Sequence, residues 1–459
     1  MTISEGLLND KIEIKKAHKL NGVIELPGDK SISHRAAILA LLSSDKTEIV
    51  NYATGEDCKR TLDICRALGA EVAVENNIVT IVPPAERFKT PEDPLDCGNS
   101  GTTMRLMAGF LAGAGIKARL IGDQSLSLRP MQRLVDPLRE MNAVVIPEEN
   151  GTAPLDIVPD KLISLDYTLP VASAQVKSAL LLAGLASQTP VTVREKVITR
   201  DHTERLINFM GGQIEINDIK SELIADPDDP RKKKRVLPTE DYKRMIRLPR
   251  QEKLAGGRIE IPGDFSTAAF FIAAGLLVKG SHVIIKNIGF NPTRNAFVAV
   301  LRQMGAVITV KNKREWSGEP VVDLEVLYSQ LKPRKIHGDS IAALIDELPL
   351  LALLAGRIEG TTVIRDAEEL RHKESDRIKA MAQNLGVLGI KTGEFPDGLA
   401  IEGRPEWEGG VIDSFGDHRI AMTFAVAGLA AHGRTYIKGG RVAAVSCPAF
   451  YEMLEGLRR

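Results

Sequence analysis

Basic and hydroxyl side chains cluster at one turn near the start of the chain. Residues 27–35, PGDKSISHR, stand between a short apolar alternation and an apolar run, an order typical of a strand, a tight turn and a helix. We expect Lys30, Ser31 and Arg35 to lie at the start of that helix, where unpaired backbone N–H groups and the helix dipole favour an anion. The turn is therefore a candidate anion-binding site.

The same turn occurs a second time without its basic residues. Residues 259–266, IEIPGDFS, repeat residues 24–31, IELPGDKS, at a shift of 262 − 27 = 235 positions. Phe265 stands where the first copy has Lys30, and no arginine follows in the next turn. The first copy therefore predicts a chemical role and the second a structural one.

Cations and hydroxyls also stand at other predicted helix starts. Taken singly, such residues are common as N-caps or in surface ion pairs. As a set they would bring many cations to one cleft in a protein whose formal net charge is zero, and anionic ligands would offset their repulsion. The set comprises Asn99, Gly101, Thr102, Arg105 and Arg129; Ser173, Gln175, Lys177 and Arg200; residues 371–377; and Asp417, His418 and Arg419.

Carboxylates accompany these cations at two places in the chain. Asp346 and Glu347 come just before Pro349, at another predicted helix start, and Glu374 lies between Lys373 and Arg377. A carboxylate among cations stays ionised and can accept a proton from a substrate hydroxyl. The alternative for Asp346 is an ordinary acidic first turn of a helix. With neither a Walker loop nor a metal-ligand cluster in the sequence, we expect proton transfer around anionic ligands, with no cofactor and no metal.

Composition narrows the class of protein. The chain has 459 residues, 44% of them hydrophobic, which predicts two or three domains. Zero net charge argues against a nucleic-acid or membrane-surface protein. The four cysteines form no CxxC pair, so we expect neither a zinc site nor disulfides, and a reducing cytoplasmic setting. The N-terminal residues resemble no targeting signal, and no apolar run is long enough to span a membrane.

Six copies of one βαβαββ unit can be traced along the chain. They start near residues 28, 95, 165, 257, 332 and 411. The first helix of each unit is apolar on all sides, as in residues 33–42, and is therefore expected to be buried, whereas the second helix mixes charged and apolar positions. The sixth unit is short, so the strand-like residues 11–16 and 20–26 are predicted to complete it. Two three-unit lobes would then cross near Pro27 and Pro262, around a cleft lined by helix starts.

Residues 226–256 interrupt this pattern. They include the basic run RKKKR at 231–235, which is compatible with a nucleic-acid or localisation patch. The interpretation we favour is a solvated hairpin tip, because no aromatic residues interleave with the charges.

Eight segments together resemble the 5-enolpyruvylshikimate-3-phosphate synthase family. They are PGDKSISHR, DCGNSGTTMR, LRP, ASAQVKSALLLAGL, TRDHTE, IDELPLLA, LRHKESDRI and GDHRIAM. They occur in the family's order from about residue 20 to the end of the chain. Their sequences are similar to those of the bacterial class that has Ser-Ala-Gln and Thr-Arg-Asp-His-Thr-Glu motifs.

The resemblance implies an α/β fold of two inside-out α/β barrels, with three βαβαββ units and buried parallel helices in each domain. Residues 28–261 would form the N-terminal, shikimate 3-phosphate side. Residues 1–27 and 262–459 would form a discontinuous C-terminal domain on the phosphoenolpyruvate side. The implied reaction transfers the enolpyruvyl group of phosphoenolpyruvate to the 5-hydroxyl of shikimate 3-phosphate and releases phosphate, in the shikimate pathway to chorismate.

The resemblance also implies roles for individual residues. Shikimate 3-phosphate would be bound by Lys30, Ser31, Arg35, Ser173, Ala174, Gln175, Arg200, Asp346 and Lys373. Phosphoenolpyruvate would be bound by Lys30, Gly101, Arg129, Gln175, Arg377 and Arg419. Asp346 would accept the proton of the 5-hydroxyl, while Glu374 or Lys30 would protonate the methylene carbon. We expect a monomer that glyphosate inhibits in competition with phosphoenolpyruvate, because Gly101 is retained.

Some positions depart from the better-known class of the family. Residues 444–448, AVSCP, lack its lysine near the C-terminus, Ala174 replaces a serine, and Leu106 replaces a proline. The nearest alternative enzyme is the UDP-N-acetylglucosamine enolpyruvyl transferase, but its loop cysteine is missing from residues 122–129. A non-catalytic anion-binding scaffold is a second alternative, which the retained Asp346 and Glu374 disfavour.

Overall fold

The computed structural model describes residues 11–219, 222–226, 229–236, 241–338 and 340–458. Its helices are α1 (Lys30–Ala40), α2 (Glu56–Ala67), α3 (Gly101–Gly113), α4 (Gln132–Glu140), α5 (Ala174–Ser187), α6 (His202–Phe209), α7 (Phe265–Leu277), α8 (Ala296–Gln303), α9 (Ser340–Leu344), α10 (Leu348–Ala355), α11 (Arg377–Val387), α12 (His418–Gly428) and α13 (Phe450–Gly456). Short 3-10 helices cover Leu126–Leu128, Glu368–His372 and Gly440–Val445. No helix in this described part of the chain has the length and apolarity needed to span a bilayer.

The strands of the first half are β1 (Lys11–Lys15), β2 (Asn21–Glu25), β3 (Thr47–Val50), β4 (Glu71–Glu75), β5 (Ile78–Val82), β6 (Leu95–Asp96), β7 (Ala118–Ile121), β8 (Val144–Pro147), β9 (Leu155–Val158), β10 (Leu165–Leu169), β11 (Val191–Glu195), β12 (Glu215–Asp218), β13 (Glu222–Asp226), β14 (Asp229–Val236) and β15 (Arg244–Leu248). Those of the second half are β16 (Gly257–Glu260), β17 (His282–Gly289), β18 (Val307–Trp316), β19 (Glu319–Leu327), β20 (Lys335–Ile336), β21 (Gly360–Ile364), β22 (Lys391–Phe395), β23 (Gly398–Gly403), β24 (Val411–Asp413) and β25 (Arg434–Lys438).

One sheet pattern recurs in all six units. A leading strand pairs in parallel with a second strand. An antiparallel hairpin then completes the sheet in the first five units, whereas the single antiparallel strand β1 completes it in the sixth. The parallel pair requires a crossover when its strands are consecutive, and an apolar helix supplies it in the second, third, fifth and sixth units. The strand orders are β16-β3-β5-β4, β6-β7-β9-β8, β10-β11-β15-β12, β2-β17-β19-β18, β20-β21-β23-β22 and β24-β25-β1. The repeat predicted from the sequence is therefore present in the structure.

The N-terminal strands correct one part of that prediction. Strand β1 pairs antiparallel with β25 and does complete the sixth unit. Strand β2 instead pairs in parallel with β17 of the fourth unit, so its assignment to the sixth unit was wrong. Correspondingly, β16 of the fourth unit pairs with β3 of the first. The two copies of the turn thus follow leading strands that the first and fourth units have exchanged.

Two separate hydrophobic clusters lie under these sheets. One contains buried side chains between Ile32 and Ile261, and we call that part of the chain the first lobe. The other runs from Ile14 to Leu26 and from Phe265 to Leu457, and we call that part the second lobe. The helices α3 and α7 are buried along nearly their whole length, in agreement with their uniform apolar sequences.

The two copies of the turn pair with each other where the lobes join. The backbone N–H of Asp29 donates to Pro262 O at 2.8 Å, and that of Asp264 donates to Pro27 O at 3.0 Å. Each aspartate also caps the helix that follows, because the side chain of Asp29 accepts from Ile32 N and that of Asp264 from Thr267 N. Capping by Asp29 starts α1 at Lys30, three residues before the predicted start.

A two-stranded hairpin, β13–β14, extends from the third unit. The sequence interpretation of a hairpin agrees with this pairing, but the basic run 231–235 lies within strand β14 rather than at the tip of the hairpin. Residues 227–228 and 237–240 of this segment lie outside the described residues.

Candidate active site

A cavity of about 690 Å³ lies between the two lobes. The first turns of α1, α3, α5 and α12 point into it, together with the residues just before α10 and α11. Its wall contains every residue to which the family resemblance assigns a role except Arg35, namely Lys30, Ser31, Gly101, Arg129, Ser173, Ala174, Gln175, Arg200, Asp346, Lys373, Glu374, Arg377 and Arg419.

Arg35 lies behind the wall. Its guanidinium is buried and donates to Ser31 O at 2.9 Å, Thr203 Oγ1 at 2.8 Å and Ser178 Oγ at 2.9 Å. The residue therefore supports the backbone of Ser31 from one helical turn away. Its predicted contact with shikimate 3-phosphate stays a prediction.

Lys177, the basic residue predicted at the start of α5, does not reach the cavity either. It is fully buried and forms ion pairs with Glu195 at 3.1 Å and Glu204 at 2.8 Å. It lies one turn into α5 and is not part of the cavity wall formed by Ala174 and Gln175.

Lys30 is the first residue of α1 and lies between the lobes. Its Nζ donates to Asp57 Oδ2 at 2.9 Å, and its backbone N–H donates to Asp264 Oδ2 of the second lobe at 3.0 Å. Burial favours the neutral amine, but the charge of Asp57 outweighs it and raises the pKa of Lys30 above its ordinary value. Lys30 is therefore a protonated cation in the ligand-free cavity.

The start of α3 presents arginines around a glycine. Arg105 Nη1 donates to Gln175 Oε1 at 2.8 Å, and Arg129 Nη2 donates to Asn99 Oδ1 at 2.6 Å. Burial, with the charges of Arg133 and Arg129, lowers the pKa of Arg105 to about 9. Such an environment disfavours an isolated cation, and a bound anion would relieve it. Gly101 leaves the space beside both guanidinium groups open.

Asp346 bridges the lobes through arginines. It accepts from Arg200 of the first lobe, while Arg419 Nη1 donates to its backbone oxygen at 3.0 Å and Arg377 Nη1 lies 3.7 Å from its carboxylate. Burial alone would favour the neutral acid, but the charges of Arg419 and Arg200 hold the pKa of Asp346 well below its ordinary value. Asp346 is therefore ionised.

Glu374 is the second carboxylate of the wall. It accepts from Arg377 Nη2 at 2.5 Å and lies 3.6 Å from Arg129 Nη1 of the first lobe. Despite burial, the charges of Arg377 and Arg129 hold its pKa well below the ordinary value. Burial lowers the pKa of the neighbouring Lys373, although the charges of Glu369 and Asp346 act to raise it.

The sequence did not indicate several other charged residues of the wall. Asp57, Arg133, Arg294 and Glu369 all line the cavity. Asp57 lies in the first turn of a second helix, where an acid is ordinary, so its pairing with Lys30 could not be read from its position. Among the described residues, no group of three or more His, Cys, Asp or Glu side chains could hold a metal ion.

Comparisons with known proteins agree with this architecture. The family model of EPSP synthase (3-phosphoshikimate 1-carboxyvinyltransferase) matches residues 14–454. A 3-phosphoshikimate 1-carboxyvinyltransferase of Bacillus cytotoxicus is 41% identical over 446 residues, which cover 97% of this chain and 99% of that relative. One of Gloeothece citriformis is 43% identical over 442 residues, covering 95% of this chain and 94% of the relative.

Solved structures give the same result. An EPSP synthase from Acinetobacter baumannii superposes with a TM-score of 0.81 at 37% identity, covering 98% of both chains. With two hydrophobic clusters, six repeated sheets and a cation-lined cavity already in place, the full-length match leads to one conclusion: this chain belongs to the EPSP synthase family, the 3-phosphoshikimate 1-carboxyvinyltransferases.

Proposed function

We propose that the cavity between the lobes binds shikimate 3-phosphate and phosphoenolpyruvate together and transfers the enolpyruvyl group between them. The reaction joins the 5-hydroxyl of shikimate 3-phosphate to C2 of phosphoenolpyruvate and releases phosphate by addition and then elimination. One observation carries the proposal: Asp346 is held between Arg200 of the first lobe and Arg419 of the second, beside Lys373.

The first lobe supplies most contacts for shikimate 3-phosphate in this proposal. Ser173 caps α5, so the first N–H groups of that helix and the Ser173 hydroxyl form an anion site next to Ala174 and Gln175. Arg200 offers a planar guanidinium for the carboxylate or phosphate. Ser31 and Lys30 add contacts from the start of α1, with Arg35 supporting them from behind.

The phosphoenolpyruvate subsite is proposed to form where the lobes meet. Gly101 and Arg129 face it from the first lobe, while Arg377 and Arg419 face it from the second. Arginine suits this task because its fork of donors matches carboxylate and phosphate oxygens. Gln175 connects the two subsites through its hydrogen bond with Arg105.

Asp346 is proposed to accept the proton of the 5-hydroxyl. In the ligand-free cavity its surrounding cations make it a weak base. The ligands' anionic groups would draw Arg200, Arg377 and Arg419 to themselves, which raises the basicity of Asp346 when both substrates are bound.

Lys30 is proposed to deliver a proton to the methylene carbon during addition and to take it back during elimination. Its raised pKa supports this role, because it carries a proton before the substrates react. Glu374 is ionised in the ligand-free cavity, which supports it as a neighbouring charge that stabilises the cationic Lys30 rather than as the first proton donor.

The two hydrophobic clusters support a division into domains, residues 28–261 for shikimate 3-phosphate and residues 1–27 with 262–459 for phosphoenolpyruvate. We further propose a monomeric, cytoplasmic enzyme, in line with four free and buried cysteines.

Glyphosate, an anion of similar size, is proposed to compete with phosphoenolpyruvate. Inhibition that does not depend on phosphoenolpyruvate concentration would contradict this competition.

Phosphate release with both substrates tests the proposed function. We expect turnover with shikimate 3-phosphate and none with UDP-N-acetylglucosamine, whose turnover would instead indicate the related enolpyruvyl transferase. Asp346→Asn should lower kcat by about 10²–10⁴-fold, as for a lost general base, with little change in shikimate 3-phosphate binding. Glu368→Gln, an exposed acid at the same cavity, is the matched control. Unchanged turnover in Asp346→Asn would remove Asp346 from the mechanism.

A further inference from the structure

Arg133 and Glu369 join the two lobes at the rim of the cavity. Arg133 lies on α4 of the first lobe, and Glu369 lies in the 3-10 helix Glu368–His372 of the second. Arg133 Nη1 donates to Glu369 Oε1 at 3.1 Å and Oε2 at 3.2 Å, and Nη2 donates to Oε1 at 3.1 Å. This forked geometry fixes the distance and the relative orientation of the two lobes at this point.

Glu369 also holds Lys373. The Nζ of Lys373 donates to Glu369 Oε1 at 3.3 Å, one helical turn along the chain. Although burial opposes ionisation, the charges of Lys373 and Arg133 keep the pKa of Glu369 below its ordinary value. The carboxylate of Glu369 therefore binds Arg133 of the other lobe and also Lys373, the cation beside Asp346.

This pair differs from an ion pair at the paired turns where the lobes join, which we call the hinge pair. There Arg294 Nη1 lies 2.7 Å from Asp29 Oδ2, and both side chains are 3% exposed. Separating that pair would leave buried charges without partners. The side chains of Arg133 and Glu369 are 25% and 37% exposed, so water can solvate both when they part. The rim pair can therefore break and re-form as the lobes move, while the hinge pair stays intact.

We propose that Arg133 and Glu369 form a latch between the lobes, and that Glu369 is thereby a positioning residue for Lys373. The inference rests on the role proposed above for Lys373 at the substrate site. When the latch is formed, Arg133 holds Glu369 at the cavity rim, and Glu369 in turn fixes the ammonium group of Lys373 next to Asp346. When the lobes separate, the contact between Arg133 and Glu369 is lost, whereas Glu369 and Lys373 stay together on the second lobe.

Small-angle X-ray scattering tests the latch. The radius of gyration of the full chain is measured against shikimate 3-phosphate concentration for the wild type, Arg133→Met and Glu369→Gln. We expect the wild type to become more compact, and both variants to need about two- to fivefold more ligand for the same compaction, the range of a partly exposed ion pair. Arg119→Met is the control, because Arg119 pairs with Asp156 at 2.9 Å within the first lobe. Compaction curves identical in all four proteins, or no compaction of the wild type, would overturn the latch.

Steady-state kinetics tests the positioning role. Arg133→Met keeps the Glu369–Lys373 contact, so we expect higher KM values with nearly unchanged kcat. Glu369→Gln loses that charge contact, so kcat should fall by up to about 10²-fold, the order expected when a catalytic group is misplaced by roughly 1 Å, and Glu369→Asp should recover part of it. Lys373→Met provides the reference. A wild-type kcat in Glu369→Gln, with a low kcat in Lys373→Met, would overturn the positioning role and leave the proposed role of Lys373 intact. A wild-type kcat in Lys373→Met would refute both.

Discussion

Two adjacent carboxyl groups before α10 have opposite tendencies to ionise. The charges of Arg419, Arg200 and other cations overcome burial and hold the pKa of Asp346 well below its ordinary value. Burial and the charge of Asp346 raise the pKa of Glu347 instead. Glu347 accepts from Ser266 Oγ at 2.5 Å and lies outside the cavity wall. In the sequence, Asp346 and Glu347 are adjacent acids at a predicted helix start. Their different pKa values follow from where the cations lie in three dimensions, which the sequence does not show.

Gly101 allows a specific test of the phosphoenolpyruvate subsite. A Cβ at this position would lie 2.7 Å from Arg105 Nη1 and 3.3 Å from Arg129 Nη1. Both atoms are ends of flexible side chains, so Gly101→Ala should fold and should narrow the anion site. Overpacking of about 1–3 kcal/mol would raise the inhibition constant of glyphosate about 5–150-fold.

The measurement for Gly101→Ala is the glyphosate inhibition constant at several phosphoenolpyruvate concentrations. Gly386→Ala is the control, because its Cβ would meet no atom within 4 Å. Equal glyphosate inhibition in wild type and Gly101→Ala would show that the inhibitor does not approach this glycine.

The cavity residues that the sequence predicted and those that it missed lie in different kinds of position. Residues such as Lys30, Ser173 and Arg419 occupy the first turns of buried helices, and their local motifs already place them at an anion-binding end. Arg133 and Arg294 reach the cavity only because helices and loops of two lobes pack together. That packing depends on contacts between residues far apart in the chain, which one sequence does not display.

At the level of secondary structure, the buried helices α3 and α5 pack unusually close. A Cβ at Gly109 would lie 2.1 Å from Ala179 O, and one at Gly113 would lie 2.3 Å from Ala183 O. The two backbones touch along α3, so both starts of these helices, with Gly101 and Ser173, face the same cavity. The apolar composition predicted burial of these helices, but not which pair would pack backbone to backbone.

Gly109→Ala should therefore destabilise the first lobe without touching the cavity. The methyl group meets a backbone carbonyl that cannot rotate away, so we expect a loss of about 2–3 kcal/mol and a melting temperature lower by roughly 5–10 °C. Gly386→Ala lies on the exposed side of α11 and should be neutral or stabilising by about 0.5–1 kcal/mol. Thermal unfolding followed by circular dichroism compares the variants, and equal melting temperatures would contradict the close packing of α3 and α5.

Strand pairing shows the same limit. The alternation in residues 20–26 identified a strand. Strand β2 joins the sheet of β17, where Ile24 pairs with Ile285, 285 − 24 = 261 residues further along the chain, a partner that no local pattern specifies. The assignment to the sixth unit failed because the first and fourth units exchange their leading strands. The crossings between the lobes near Pro27 and Pro262 were nevertheless predicted, because the repeated turn marks both of them in the sequence.

In the whole molecule, cations of both lobes face one cavity. Arg129 and Arg200 come from the first lobe, and Arg377 and Arg419 from the second. In the ligand-free form the acids Asp346 and Glu374 offset part of this charge. A first anionic ligand should offset more of it and bring the lobes together, which completes the site for the second anion.

Shikimate 3-phosphate and glyphosate should therefore bind with positive coupling. We expect glyphosate to bind about 5–150-fold more tightly when shikimate 3-phosphate is present, and shikimate 3-phosphate to gain by the same factor from glyphosate, because coupling between two sites is reciprocal. Isothermal titration calorimetry with each ligand, alone and in the presence of the other, measures both factors. Arg119→Met, altered far from the second lobe, is expected to match the wild type. Equal affinities with and without the partner ligand would mean that each lobe binds its anion independently, and that the cations of the two lobes do not form a shared site.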